Sequence, residues 1–417
     1  MAILVSNMVG TGVFTSLGFQ AEGTHTGFAL LALWVVGGVA ALCGAAAYAE
    51  LGATMPYSGG EYVYLGRIYH PLAGFLGGWV SVTVGFAAPI ALAAIAFGRY
   101  LAAVVPVSPV VAALVVVAVI GAVHGADLRT ARRVQVALTT LELILIVGFI
   151  VAGVVYPRGS DISFAPTATA LQEVVSPSFA VSLIFVSYAF SGWNAAGYVA
   201  GEIREPARVL PRAVAIATGG VTALYVALNW TFLRTVPLPR LAGVVEVGAL
   251  SATSIFGALG GRVMSAGIAV LLLATISAMV LAGSRVTHAV VADLPTLGAL
   301  TARGVPRNAV LVQVGLTVVL LLTNSFEQVI TYAGFTLEAM TLATVFGLYV
   351  LRRRGQLPPE GAKAWGYPVV PAIYMVLCVW TLVFVAVNRP IEALAGVGTL
   401  AVGVVLFRYI TRRLPTH

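Results

Sequence analysis

The feature that most constrains this chain is a succession of apolar runs, each about 20 residues long. A helix of that length spans the hydrocarbon core of a bilayer, whereas the strands of an outer-membrane barrel are weakly alternating segments of about ten residues. Hydrophobic residues make up 60% of the 417 residues, and charged residues only 9%. Soluble domains carry about 25% charged residues. So few polar side chains cannot cover a water-facing surface, and the sequence therefore predicts an all-α membrane protein.

We interpret twelve of these runs as transmembrane helices. They lie near residues 1–22, 27–50, 72–101, 107–124, 132–156, 174–201, 210–233, 262–290, 308–323, 326–351, 368–388 and 391–410. The connections between them are too short for a soluble domain, so residues 1–417 are expected to form a single transmembrane domain. Pro206 and Pro211 are expected to fix the turn and the start of span 7.

Basic residues fall unevenly on the two sides of these runs. If both termini are cytoplasmic, the inner side holds 17 of the 23 basic residues, and inner loops are normally enriched in lysine and arginine. These are Arg67, Arg129, Arg132, Arg133, Arg204, Arg208, Arg212, Arg285, Arg303, Arg307, Arg352, Arg353, Arg354, Lys363, Arg408, Arg412 and Arg413. The outer side holds Arg99, Arg158, Arg234, Arg240, Arg262 and Arg389. We therefore expect cytoplasmic termini in a bacterial-type cytoplasmic membrane, and we attribute the net charge of +8 to orientation rather than to nucleic-acid binding.

Two of the runs are interrupted by small residues. Gly10-Thr11-Gly12 interrupts span 1, and Ser191-Gly192 interrupts span 6. If spans 1–5 and 6–10 form two halves, the interruptions occupy matching positions, as in transporters built from inverted repeats. The predicted architecture is a 5+5 inverted repeat, with repeat one near 1–156, repeat two near 174–351, and two peripheral helices near 368–410.

Close helix packing and local unwinding both explain such glycines. A glycine inside a helix costs about 1 kcal/mol relative to alanine, and small residues let neighbouring helices approach. Gly10 and Gly12 are two residues apart and face different sides, so we favour unwinding. The free amides that follow the break attract a carboxylate, and the free carbonyls near Tyr188 to Ser191 attract an ammonium group. Together they match an α-amino acid zwitterion.

Three stretches resemble the amino acid–polyamine–organocation superfamily, close to the L-type amino acid transporters and bacterial amino acid permeases. They are "NMVGTGVF" (7–14), "YAELGATMPYSGGEYVYLGRIYHP" (48–71) and "FSGWNAAGYVAGEIREPARVLPRA" (190–213). With the topology, the resemblance covers essentially the whole chain. It implies a secondary active transporter, not an enzyme, that moves amino acids by alternating access through proton symport or amino acid exchange.

The resemblance also implies a substrate site. Gly10, Thr11 and Gly12 would bind the carboxylate. The carbonyls of Met8, Tyr188, Ala189 and Ser191 would accept the ammonium, with Tyr188 as an aromatic gate. Trp193 and Asn194 would lie just beyond the break; for Trp193 the alternative is an anchor at the lipid interface. The segment "EYVYLGRIY" (61–69) is expected to be amphipathic, either as an inner gate under the site or as a plain surface helix.

Four further residues are candidates for ion coupling. Intramembrane carboxylates are costly and often functional, and Glu142 and Glu338 are two of them. Many relatives that couple to protons carry a lysine where this chain has Glu142, so this position departs from the family pattern. Each glutamate is read either as a protonatable coupling site or as a structural residue. Thr275 and Ser277 in span 8 could serve sodium, but they are not adjacent and their hydroxyls could equally bond their own backbone.

Other partners and functions are constrained by what the sequence contains. The two cysteines, Cys43 and Cys378, lie far apart inside apolar runs, so they indicate neither a disulfide framework nor a metal cluster. We expect no metal and no cofactor. The loop near Tyr100 to Pro109 carries no cysteine, so no disulfide-linked heavy chain is expected there. A polyamine or other organocation transporter of the same fold is the first alternative, and a channel is the second.

The start of the chain is unusually close to the first break. Nine residues rise only about 14 Å as a helix, so the inner half of span 1 would barely reach the interface. Relatives normally carry more residues before this motif. We therefore expect that the natural start of the chain is not present.

Overall fold

The regular structure of the chain is helical. A computed structural model describes residues 2–55, 57, 59–126, 131–156, 159–198, 203, 205–291, 307–323, 325–357 and 363–413, and within these ranges it contains helices and no strands. The α-helices are α1 (Ala2–Met8), α2 (Thr11–Gly23), α3 (Gly27–Thr54), α4 (Glu61–Ile68), α5 (Pro71–Val80), α6 (Ala87–Ala102), α7 (Pro109–Ala126), α8 (Ala131–Val155), α9 (Ala168–Val174), α10 (Pro177–Phe190), α11 (Ala195–Tyr198), α12 (Pro206–Thr235), α13 (Leu238–Leu241), α14 (Val247–Val291), α15 (Arg307–Thr323), α16 (Phe326–Arg353), α17 (Val369–Asn388) and α18 (Pro390–Arg413). A π-helical segment, Ser81–Phe86, joins α5 to α6, and a 3₁₀ segment, Ser191–Asn194, joins α10 to α11. The prediction of an all-α protein is confirmed for the described residues.

Several of these helices are long and apolar enough to cross a membrane. Within the described ranges there are seven, or eight if α9 and the bent helix that follows it count as one span. The protein is therefore a multi-pass membrane protein. The helices coincide with the predicted apolar runs, while the total of twelve crossings, the inverted repeat and the orientation stay predictions. Four arginines of the charge pattern lie outside the described residues, namely Arg129, Arg158, Arg204 and Arg303.

Two helix boundaries differ from the sequence prediction. Helix α14 begins at Val247, not near residue 262, because Gly257 adopts a positive φ of 75° and joins two helical stretches across a kink. Glycine tolerates that conformation without a steric penalty. Helix α12 begins at Pro206, in the first turn that suits proline, and Pro211 lies inside the helix. The expectation that Pro211 helps to fix the start of span 7 is therefore wrong.

Polar residues between the apolar runs begin several of the helices. The side chain of Thr26 accepts the amide of Ala29 at the start of α3, and Ser176 accepts that of Phe179 at the start of α10. At the start of α16, Ser325 and Gln328 form a reciprocal capping box. Each cap satisfies amide groups that a helix leaves free in its first turn.

The two interrupted helices contact each other at their interruptions. A methyl group placed on Gly12 would lie 2.7 Å from the Cβ of Ala189, well inside the separation of packed carbons. A methyl group on Gly192 would collide with the backbone of Asn7 and Met8. Thus α2 packs closely against α10, and α1 packs closely against the 3₁₀ segment. Close packing therefore explains Gly12 and Gly192, but it does not explain Gly10, where a methyl group would meet no atom within 4 Å.

The short helix α4 fits the description of an amphipathic segment. Tyr64 and Ile68 are buried on one side, and Tyr62 is half exposed on the other. The buried Glu61 accepts hydrogen bonds from the hydroxyls of Tyr48 at 2.5 Å and Thr341 at 3.0 Å. Burial raises the pKa of the Glu61 carboxyl, although the two hydrogen bonds act in the opposite direction. Helix α4 is thereby fastened to α3 and α16; its role as an inner gate stays a prediction.

A second buried carboxylate fastens the same end of the molecule. Arg352 at the end of α16 donates to both oxygens of Glu50 in α3, at 2.7 and 2.8 Å. The backbone amide of Ala364 donates to the same carboxylate at 2.6 Å. The guanidinium group of Arg352 also lies 4.0 Å from the centre of the Tyr367 ring. Glu50 is only 2% exposed, so its charge depends on these partners.

We predict that the contact between Gly12 and Ala189 limits what position 12 can hold. Gly12→Ala should destabilise the protein by about 1–3 kcal/mol through overpacking, and adding Ala189→Gly should restore part of the loss because it removes the opposing methyl group. Thermal unfolding of the purified protein in detergent measures both. Gly220→Ala is the control, since a methyl group there meets no atom within 4 Å. Equal destabilisation by the Gly12 and Gly220 variants would contradict the prediction.

We predict that the Glu50–Arg352 pair is a major support of its end of the molecule. Arg352→Ala leaves a buried carboxylate without its cation, which costs about 3–5 kcal/mol, so the unfolding temperature should fall by several degrees. Arg353→Ala, at the exposed neighbouring position, is the matched control and should have little effect. If the two variants unfold together, the pair does not have this role.

Candidate functional site

The first interruption leaves the start of a helix open. Helix α1 ends at Met8, α2 begins at Thr11, and Gly10 between them has an extended backbone with φ −173° and ψ −154°. The N-cap residue of α2 is Gly10, which has no side chain that could cap the first turn. The leading amides of α2 are therefore available to a ligand, and the positive end of the helix dipole favours an anion.

The second interruption leaves helix carbonyls near the first one. Helix α10 ends at Phe190, and the chain tightens into the 3₁₀ segment. The amide of Ser191 donates to the carbonyl of Tyr188, which keeps one further lone pair. The break is therefore a change in helical pitch rather than an extended stretch, and its carbonyls lie at the negative end of α10.

A cavity of about 270 Å³ lies between the two interruptions. Eight of the nine residues predicted to bind substrate line it, namely Met8, Gly10, Thr11, Gly12, Tyr188, Ala189, Ser191 and Asn194. The hydroxyls of Tyr188 and Thr11 also interact with each other. Every residue that lines the cavity within the described part of the chain is uncharged. Helix ends and neutral polar groups thus provide its polarity.

Trp193 occupies a different place from the other predicted residues. Its side chain is buried and packs edge-on against Tyr48, with ring centroids 4.8 Å apart, and against Tyr374 at 6.1 Å. It lines a smaller cavity behind Tyr188 instead of the 270 Å³ cavity. Burial at this depth also excludes the alternative of a lipid-interface anchor for this side chain.

Tyr225 of α12 connects the two interruptions. Its hydroxyl lies 2.6 Å from the carbonyl oxygen of Met8 and 3.3 Å from that of Ala189. The ring is fully buried between Trp34 and Phe190. The hydroxyl therefore donates to one of the carbonyl groups predicted to accept the substrate ammonium. Sequence reasoning missed this residue, because a tyrosine inside an apolar run carries no distinguishing pattern.

The coupling candidates do not form one cluster. Glu142 is buried in α8, close enough to Tyr225 for an electrostatic interaction, but it lines neither cavity. Thr275 lines the larger cavity, and its hydroxyl donates to the carbonyl of Leu271 one turn earlier. The Ser277 hydroxyl lies 2.8 Å from Nε2 of His124. The two hydroxyls thus have separate partners.

Glu338 lies beside the smaller cavity, together with Trp193. Its side chain is 8% exposed.

Cys43 and Cys378 are both buried free thiols. Within the described ranges, no three side chains of histidine, cysteine, aspartate or glutamate converge as metal ligands would.

The walls of the larger cavity include residues that the sequence did not indicate. The π-helical segment contributes Gly85 and Phe86, and π-helical turns are frequent at functional sites. The remaining walls come from α6, α14 and α16 through Pro89, Met279, Ala282, Val286 and Leu337. These positions belong to the predicted spans 3, 8 and 10.

The chain resembles known amino acid transporters along nearly its whole length. It is 30% identical to Asc-type amino acid transporter 1 of Mus musculus over 97% of this chain and 78% of that protein. It is 29% identical to large neutral amino acids transporter small subunit 2 of Homo sapiens, with the same coverage. It is 28% identical to the serine/threonine exchanger SteT of Bacillus subtilis (strain 168) over 89% of this chain and 86% of that protein.

The family pattern agrees with these relatives. Residues 1–406 match the pattern of the amino acid permease family. The resemblance drawn from the three sequence stretches is thereby confirmed. The chain belongs to the amino acid permease family.

Proposed function

We propose that the protein is a secondary active transporter that moves amino acids across the cytoplasmic membrane by alternating access. The observation that carries the proposal is the cavity of about 270 Å³ between the amide end of α2 and the carbonyl end of α10. Its volume suits a small ligand, and its two polar ends have opposite signs. An α-amino acid presents a carboxylate and an ammonium group at matching positions.

The substrate backbone is bound by helix ends rather than by charged side chains. The carboxylate accepts hydrogen bonds from the amides around Gly10 to Gly12 and from the Thr11 hydroxyl. The ammonium donates to the carbonyls of Met8, Tyr188, Ala189 and Ser191. Because every described residue of the lining is uncharged, the cavity favours a zwitterion over a polyamine or another organocation, which would need acidic partners at each amine.

The closure of the site on one side supports alternating access. The cavity extends along α1 through Asn7 and along α14 through Val286, but it includes nothing of α2 beyond Gly12. Further along α2, the amide of Gly243 donates to the carbonyl of Gly18 at 2.9 Å, and Phe19 stacks on Phe326 with ring centroids 5.5 Å apart. A channel would need a continuous path at this point. With the predicted orientation, the closed side is the outer one.

Glu142 is the proposed coupling group. It is buried on α8, and it interacts with Tyr225, whose hydroxyl bonds the carbonyl of Met8 at 2.6 Å. A change in the charge of Glu142 therefore alters the electrostatic environment of Tyr225, and the hydroxyl of Tyr225 bonds a carbonyl of the proposed substrate site. This link supports proton symport. The relation to SteT, which is a serine/threonine exchanger, supports exchange as the other mode. Of the other coupling candidates, Thr275 lines the cavity with its hydroxyl bonded to the carbonyl of Leu271, Ser277 is paired with His124, and Glu338 lines only the smaller cavity.

Uptake by the reconstituted protein tests the proposed function. A panel of labelled amino acids is offered to proteoliposomes with an imposed proton or sodium gradient, or with amino acid inside. We expect saturable uptake of a subset, reduced at least about tenfold by Gly10→Ala. A methyl group at Gly10 meets no atom within 4 Å, so the variant should fold while the methyl group occupies the carboxylate site. Gly220→Ala is the control. Uptake of no amino acid, or ohmic current without saturation, would contradict the proposal.

The role of Glu142 has a separate test. In Glu142→Gln the side chain keeps its shape but cannot exchange a proton, so uptake should no longer respond to an imposed proton gradient, while exchange with internal amino acid should persist. Asp161→Asn, at an exposed loop position, is the control. A proton response that is unchanged in the glutamine variant would remove Glu142 as the coupling group.

A further inference from the structure

A buried glutamine lies behind one wall of the larger cavity. Gln313 belongs to α15, and none of the described residues of α15 lines that cavity. The side chain is 0% exposed, and its Nε2 atom donates to the carbonyl of Met279 in α14 at 3.1 Å. Met279 itself lines the cavity. Gln313 is therefore separated from the cavity by a single residue.

Gly283 makes this contact possible. A methyl group placed on Gly283 would lie 1.9 Å from Nε2 of Gln313 and 2.7 Å from the Cβ atom of Phe86, whereas packed carbon atoms stay about 3.5–4.0 Å apart. The glutamine amide thus occupies the space that a side chain at position 283 would need. Phe86, in the π-helical segment, packs against the same position, and it lines the cavity as Met279 does. The walls that contain Phe86 and Met279 therefore meet at Gly283.

Helix α15 also reaches the wall that contains Phe86. The hydroxyl of Thr317, one turn after Gln313, lies 3.4 Å from the carbonyl oxygen of Ala87 and 2.9 Å from that of Gln313. Ala87 follows Phe86 directly and begins α6. Thr317 is 0% exposed, as Gln313 is. Two buried polar side chains of α15 therefore connect the two walls from outside the cavity.

Stability alone does not account for the glutamine. Its Oε1 atom has no hydrogen-bond partner in the part of the chain that the structure describes, and a buried polar atom without a partner costs free energy. The carbonyl of Met279 does not depend on the glutamine either, because in an α-helix it accepts the amide of Gly283, four residues further on. The bond from Gln313 therefore fixes the place of α14 more than it stabilises the fold.

We propose that Gln313 is a positioning residue that sets the separation of Phe86 and Met279, and thereby the size of substrate side chain that fits the cavity best. The inference rests on the proposed function and adds a determinant of specificity that does not touch the substrate. Both walls are attached to α15, so their separation is fixed. Without the bond to Met279 the cavity widens, and a small substrate then loses packing contacts that a large substrate keeps.

Gln313→Met removes the bond while it keeps the approximate volume of the side chain. The KM of uptake is measured for the smallest and the largest amino acid that the wild-type protein accepts. The KM of the smallest should rise at least about threefold relative to that of the largest, with maximal uptake rates within about twofold of wild type. The unfolding temperature should stay nearly unchanged, because removal of the unpartnered oxygen offsets the lost bond. A lower unfolding temperature with an unchanged KM ratio is what a purely structural role produces, and it would overturn the inference.

Gly283→Ala tests the same contact from α14. Its methyl group enters the space between the Gln313 amide and Phe86 and forces the two walls apart, so the KM ratio should shift in the same direction. Gly315→Ala, on α15, is the control, since a methyl group there meets no atom within 4 Å, and it should leave the ratio unchanged. The Gly283 variant also decides the matter if Gln313→Met does not fold. An unchanged or opposite KM ratio in Gly283→Ala contradicts the proposed role.

The two levels of the proposal fail in different ways. If wild-type protein takes up amino acids but both variants keep its KM ratio, Gln313 does not position the walls and the proposed transport function stands. If wild-type protein takes up no amino acid from the panel, the transport function itself is wrong.

Discussion

Backbone hydrogen bonding in a medium without water is the constraint on which this structure depends. A helix that crosses a bilayer satisfies its own amides and carbonyls, and every interruption exposes some of them. Here two interruptions lie face to face, so the groups exposed by one are near those of the other. Glycine makes the approach possible, since a methyl group on Gly12 or Gly192 would meet the opposite segment. The exposed groups that remain surround the cavity.

The polarity of that cavity therefore comes from helix ends, and the tertiary structure holds those ends in place. Tyr225 bonds the end of α1 from a third helix. Glu61 and Glu50, each only 2% exposed, join α3 and α16 to α4 and to the following loop. Buried carboxylates are costly without partners, so these two fix the helices around the site in one arrangement.

Eight of the nine residues predicted to bind substrate line one cavity, and the sequence could indicate them because its signals are local; that they bind substrate stays a prediction. Gly10, Gly12 and Ser191 are conspicuous inside apolar runs, and a helix break has a defined electrostatic consequence. Residues contributed by other helices were not predictable in the same way. Nothing in the run around Tyr225 marks its hydroxyl, and the π-helical segment that brings Phe86 to the cavity has no clear pattern. Trp193 lies beside the predicted break, yet its direction depends on packing against Tyr48, which only the fold reveals.

The hydroxyl of Tyr225 has a mechanical consequence. It lies within hydrogen-bonding distance of carbonyl groups on both sides of the paired breaks, 2.6 Å from one and 3.3 Å from the other, but it has a single proton to donate. A small rotation of the hydroxyl can redirect its hydrogen bond from one carbonyl to the other. Any rearrangement that preserves one of these bonds keeps the hydroxyl of α12 attached to the end of α1 or of α10.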